Sequence, residues 1–112
     1  LLSLNSGQAN DFLKRITEAE QQMARGISEY FEGNYHQAIA ELSDCAESYS
    51  HSASVQAFLA CAFASKYYLE GADDKMLERA REHFGKLKEL DSSYQFDDRF
   101  ISPRIIELFA SE

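Results

Sequence analysis

Gly26–Tyr49 reads GISEYFEGNYHQAIAELSDCAESY, and the two residues near its middle, Gly33-Asn34, decide the architecture. On the N-terminal side, Phe12, Ile16, Ala19, Met23, Ile27, Tyr30 and Phe31 recur at steps of three and four, which puts them on one face of a helix. Lys14, Arg15, Glu18, Glu20 and Gln21 fall largely between them. On the other side, Tyr35, Ala38, Ile39, Leu42, Cys45, Ala46 and Tyr49 repeat the pattern, predicting a second helix over about 35–49. Gly33 suits the left-handed residue past a helix end, and Ser6 or Asn10 can cap the first helix. So short a connection makes the two helices antiparallel neighbours. Gly26 inside the first helix costs about 1 kcal/mol relative to alanine; a close helix contact there would offset it.

Working outward, the polar cluster from Ser48 to Ser54 interrupts the pattern. A third helix follows over about 53–70, with Val55, Phe58, Leu59, Ala62, Phe63 and Tyr67. Its further alanines and its single charge before Glu70, Lys66, predict the most buried element. Gly71 ends it. Asp73-Asp74 suit the start of a fourth helix, whose stripe is Met76, Leu77, Ala80, Phe84, Leu87 and Leu90. Glu82 and Lys86 form a favourable pair on its exposed side, worth about 0.2–0.5 kcal/mol. Asp91 to Phe100 reads as a loop anchored by Tyr94, Phe96 and Phe100. Ser102-Pro103 then gives a cap and a first-turn proline for a short fifth helix with Ile105, Ile106, Leu108 and Phe109. The expectation is an all-α chain.

The segment GNYHQAI, Gly33 to Ile39, resembles the turn and second-helix start of a tetratricopeptide repeat. Gly26 and Ala38, twelve residues apart, match that family's spacing of a small first-helix residue and its second-helix alanine; Leu42 holds the bulky position after it. Leu59-Ala60 with Phe63, then Ala80 with Phe84, resemble a second, looser unit. The two alanines, Ala38 and Ala80, lie 42 residues apart, against about 34 for the family, which implies a lengthened third helix and turn. The resemblance implies a single domain over 1–112, with repeat-like pairs at about 20–50 and 53–92 and a capping helix at about 102–110. A generic bundle of four or five helices satisfies the same apolar stripes.

Composition limits the function classes. The 112 residues suffice for one domain and one core. A net charge of −8 repels phosphate backbones, and no Lys/Arg stripe offsets it, so no nucleic-acid partner is expected. No apolar run approaches the roughly 20 residues that span a bilayer, so no direct membrane insertion is expected. Leu1–Leu4 is too short for a signal-peptide core, and the missing methionine suggests a domain of a larger or processed protein, its compartment open. Cys45 and Cys61 each sit in an apolar helical stretch; buried thiols are expected, a disulfide being the alternative. His36, His51 and His83 are widely spaced, which predicts surface histidines and no metal site. The acidic pairs Asp73-Asp74 and Asp97-Asp98 lack calcium-loop spacing. The scattered glycines form no phosphate loop. No catalytic set, cofactor or metal is therefore expected.

What is left is a binding surface. The resemblance implies a concave face lined by outward residues of the first helix of each pair: Glu20, Met23, Ile27 and Tyr30, then Ala57, Cys61 and Ala64. That face lacks the lysine and asparagine with which some family members clamp a peptide's terminal carboxylates. A more apolar or basic segment would suit it. Alternatively, Met23, Ile27 and Tyr30 pack against the chain's own N-terminal extension or C-terminal helix. The expected function is a non-catalytic scaffold for a protein or peptide. The alternative is a structural assembly or self-association element of a larger multidomain or envelope protein.

Overall fold

A computed structural model describes residues 6–49, 51–71 and 73–112; Leu1–Leu4 and the side chain of Phe12 lie outside what is described. Among the described residues there are five α-helices and no strand: α1 (Ser6–Phe31), α2 (Tyr35–Ser48), α3 (Ala53–Leu69), α4 (Asp74–Leu90) and α5 (Pro103–Ala110). Consecutive helices from α1 to α4 pack on one another, and α5 returns to rest on α3.

The helix ends follow from local chemistry. Gly33 and Gly71 take φ of 83° and 112°, the left-handed conformation that lets the chain leave α1 and α3 without a Cβ penalty. Ser52, Asp73 and Ser102 cap α3, α4 and α5, each side chain accepting from a backbone N–H of the first turn. Asn34 precedes α2 without a side-chain cap; its Nδ2 donates instead to Glu29 at 2.8 Å.

The expected antiparallel pairing of α1 and α2 is visible residue by residue. Tyr30 meets Tyr35, Arg25 pairs with Glu41, and Cys45 Sγ donates to the Ala19 carbonyl at 3.5 Å. Rising numbers on one helix meet falling numbers on the other. Gly26 lies in this seam and closes on Leu42, one turn beyond Ala38.

α3 is the buried centre, as its composition requires. Val55, Leu59, Ala60, Ala62 and Ala64 are fully enclosed, and Ala38, Leu42, Ala80 and Ile105 join the same core. Cys45 and Cys61 are buried free thiols. Phe109 of α5 stacks on Phe84 of α4 at 4.6 Å and on Phe96 at 5.6 Å, which ties the C-terminal segment to the bundle. Arg81 Nε donates to Glu112 at 2.6 Å on the same side.

Two expectations need correction. His83 is not a surface histidine: it is half-buried, stacked on Phe63 at 5.6 Å, with Nδ1 2.7 Å from Gln56 Oε1. A carboxamide oxygen only accepts, so Nδ1 carries the proton and donates. Phe100 is not a buried anchor either; it is 61% exposed. The loop does anchor through Tyr94 and Phe96, which stay half-buried and touch each other at 5.3 Å.

The molecule measures 51 × 27 × 27 Å. The long axis reflects α1, whose 26 residues against 14 in α2 leave its N-terminal half extending past its partner.

Candidate docking grooves

Tyr30 and Phe31 are adjacent on a helix, so their side chains diverge by about 100° and cannot both face the core. Tyr30 turns inward and is buried; Phe31 turns outward and is 51% exposed. The inward ring packs edge-on against Phe58 at 5.5 Å, and its hydroxyl lies beside Cys61 and Ser65. Burial raises the Tyr30 pKa well above the ordinary phenol range. Phe31 leans on Phe58 at 5.7 Å and on Phe100 at 6.2 Å. The end of α1 and the start of the C-terminal segment thus share an exposed aromatic pair.

This pair is the common wall of two grooves. The first, of about 250 Å³, is walled by Phe58, Ala57 and Cys61 of α3 and by Tyr94, Phe96 and Ile101 of the C-terminal segment. Its one charged lining residue is Asp97, whose carboxylate takes the Arg99 guanidinium at 2.7 Å and is held down to about 2 by that bond. Arg99 also lies over the Phe100 ring at 5.4 Å. The second groove, of about 350 Å³, runs between α1, α3 and the first turn of α5. Tyr35, Tyr68, Ser65 and Ser102 line it, and Leu69, 69% exposed, edges it. Its single charge is Arg104, whose guanidinium stands 4.2 Å over the Tyr68 ring.

A larger cleft of about 780 Å³ lies between α4 and α5. Its aromatic side chains Phe84, Phe96 and Phe109 are already stacked on each other, and the Arg81–Glu112 ion pair spans its rim. Its apolar surface already has intramolecular partners, so the Phe31–Phe100 region is the better place for an outside one.

The seven residues expected to line a binding face are distributed unevenly. Glu20 is exposed, whereas Met23 and Ile27 are half-buried against the core. Tyr30, Ala57, Cys61 and Ala64 are buried. The structure brings Ala57 and Cys61 to the floor of the first groove, with Tyr94, Phe96 and Ile101 above them. Tyr30 contributes to the wall of the second groove. Much of the α3 face is therefore covered by the chain's own C-terminal segment. Sequence reasoning missed Phe31, Phe100 and Arg104 as groove residues. Adjacency of two aromatics at 30 and 31 was the available signal for the first; the other two depend on where the loop folds back.

Burial pushes the Cys61 thiol up to about 12, against a small opposing effect from the Tyr30 hydroxyl. Burial also pulls His83 down to about 4, helped by Lys86 and Arg79 and opposed by Glu82. Both groups are therefore neutral at pH 7; Cys61 lies at the floor of the first groove, and His83 sits against Gln56 and Phe63, outside either groove. Among the described residues no helix is long and apolar enough to cross a membrane. No family model, curated protein or solved structure matches this chain.

Proposed function

We propose that this chain is a non-catalytic protein–protein interaction scaffold that docks a peptide or a neighbouring domain. The observation that carries the reading is the Phe31–Phe100 pair, two large rings more than half exposed and flanked by concave, largely apolar surface on either side. Exposed apolar surface of this kind is costly to leave in water and marks contact sites. Aromatic anchors at the centre of a patch commonly carry most of an interface's energy. The proposal includes a repeat-type arrangement, with α1–α2 and α3–α4 as stacked helical pairs and α5 as the cap. The antiparallel register of α1 on α2 and the seat of α5 on α3 support it.

The test uses the immobilised chain beside a Phe31→Glu, Phe100→Glu double variant. Proteins retained by the first and lost by the second are identified, made recombinantly and titrated against both. Circular dichroism confirms equal helicity. Equal binding to both chains would remove the aromatic pair from the interface.

A second reading, self-association, has its own observation. Leu13 on the overhanging half of α1 is 59% exposed. Sedimentation equilibrium across a hundredfold concentration range decides it: a dimer abolished by Leu13→Glu would establish α1 as an assembly element, and a monomer throughout would eliminate it.

A further inference from the structure

We infer that the groove between the end of α1, α3 and the first turn of α5 accepts an apolar peptide segment bearing one aspartate or glutamate, whose carboxylate is taken by Arg104. The inference rests on the docking reading above and gives the partner a chemistry.

The charge distribution supports it. The chain carries 19 Asp and Glu against 11 Lys and Arg, yet no carboxylate lines this groove. Its polar groups are the phenols of Tyr30, Tyr35 and Tyr68, the hydroxyls of Ser65 and Ser102, and the Arg104 guanidinium. The hydroxyls can donate or accept, whereas the guanidinium only donates, so the lining accommodates an acceptor and its one charge favours an anionic one.

Arg104 is the strongest of these donors, and among the described residues it meets no carboxylate; Arg15, outside the groove, also has no ion pair. Arg25, Arg79, Arg81 and Arg99 each meet a carboxylate. Arg104 meets a ring, Tyr68, at 4.2 Å. Glu107, one turn along α5, makes no ion pair with it. A guanidinium held over an aromatic face spends none of its N–H donors on that contact, and a carboxylate can take two of them in parallel bonds. The ring fixes the side chain beforehand, so less rotamer freedom is lost on binding.

The same arithmetic of charge limits how acidic the partner is. At a net charge of −8 the whole chain repels an acidic run at long range. A single carboxylate among apolar residues escapes most of that repulsion. Its apolar neighbours lie along Phe31, Phe100 and Leu69, which supply the area that one ion pair cannot. The carboxylate is a side chain and not a chain end, because Phe31 and Phe100 wall both grooves and a segment crossing them continues on either side.

The probe is a displayed library of random heptapeptides, flanked on both sides so that no free terminus is presented, selected on the intact chain. Enrichment of sequences with one Asp or Glu beside Leu, Ile or Phe is the expected result. The best sequence is then synthesised with blocked ends. It binds Arg104→Gln at least about tenfold more weakly than the parent, keeps only part of its affinity for Arg104→Lys, which holds the charge but not the two-bond fork, and loses affinity as salt rises. Replacing its acidic residue by the corresponding amide reproduces the loss. Selected sequences that are basic or purely apolar, or a peptide indifferent to Arg104→Gln, would overturn the inference and leave the docking function standing. A selection that enriches nothing on a chain of full helicity, or binding unaffected by Phe31→Glu and Phe100→Glu together, counts against the docking function itself. A blocked peptide that fails where the same sequence with a free C-terminal carboxylate binds would reassign the anion to a chain end and overturn the side-chain assignment.

Discussion

Gly26 and Leu42 share a space that has no room for one more carbon: a Cβ built on Gly26 would stand 2.6 Å from Leu42 Cγ and 2.7 Å from its Cδ2. Leu42 is fully buried and has nowhere to retreat. Alanine in place of Gly26 gains about 1 kcal/mol of helix propensity, but overpacking of a closed core costs roughly 1–3 kcal/mol. The second effect is the larger because the obstructing atoms include the branch point of Leu42, not only its flexible end. Gly26→Ala is expected to lower stability by about 1 kcal/mol in urea unfolding followed by circular dichroism. A gain in stability would show that α1 and α2 can slide apart without loss.

The burial of His83 makes stability depend on pH. His83 is held down to about 4 in the folded protein, from an ordinary 6.5. Between those values the unfolded chain takes up a proton that the folded chain refuses, so acid favours unfolding. The contribution is complete above pH 6.5 and is lost as pH falls to about 4, amounting to at most about 3 kcal/mol. Urea unfolding of the parent and of His83→Gln at pH 7.5, 5.5 and 4.5 separates this group from the carboxylates. The parent is expected to lose more stability than the variant across that range; parallel losses would place the titration elsewhere.

Cys61 lies 1% exposed at the floor of a groove, beside the Tyr30 hydroxyl. A thiol pushed up to about 12 carries about a thousandfold less thiolate at pH 8 than an ordinary one. Cys45 is also buried, and burial raises it in the same direction. Reaction of both with a thiol reagent at pH 8 should be far slower in the folded chain than in urea, with no disulfide found by mass. Rapid labelling of the folded chain would show that the first groove opens down to its floor.

The seat of α5 depends on Phe109, which is 2% exposed and stacked on Phe84. Truncating a buried phenylalanine costs roughly 3–5 kcal/mol. Phe109→Ala should therefore destabilise the chain by about 3 kcal/mol. It should also weaken peptide capture, since α5 carries Arg104. A loss of capture with unchanged stability would mean that α5 docks loosely and is ordered by the partner.

Periodicity, caps and glycines located α2 to α5 to within about two residues, because they are local signals; the start of α1 was left between Ser6 and Asn10. The tight turn at Gly33 fixed the antiparallel register of α1 and α2, and the scarcity of charge in α3 fixed its place at the centre. The candidate site was less legible. Of the residues named from the repeat resemblance, Tyr30, Ala57, Cys61 and Ala64 belong to the interior. A helix can expose such a face only if nothing else covers it. Whether a C-terminal segment folds back over that face is not written in the period of any single helix.

The amino-acid sequence determined that this protein is helical, where α2 to α5 begin and end, and which helix is most apolar, all being properties of residues within about four positions of one another. Only the tertiary structure decided that Phe31 meets Phe100, that His83 bonds Gln56, and that Arg104 faces a groove without acid. Gln56 and His83 stand 27 positions apart, Phe31 and Phe100 69, and Tyr30 and Arg104 74, and such pairs are set by how the whole core packs.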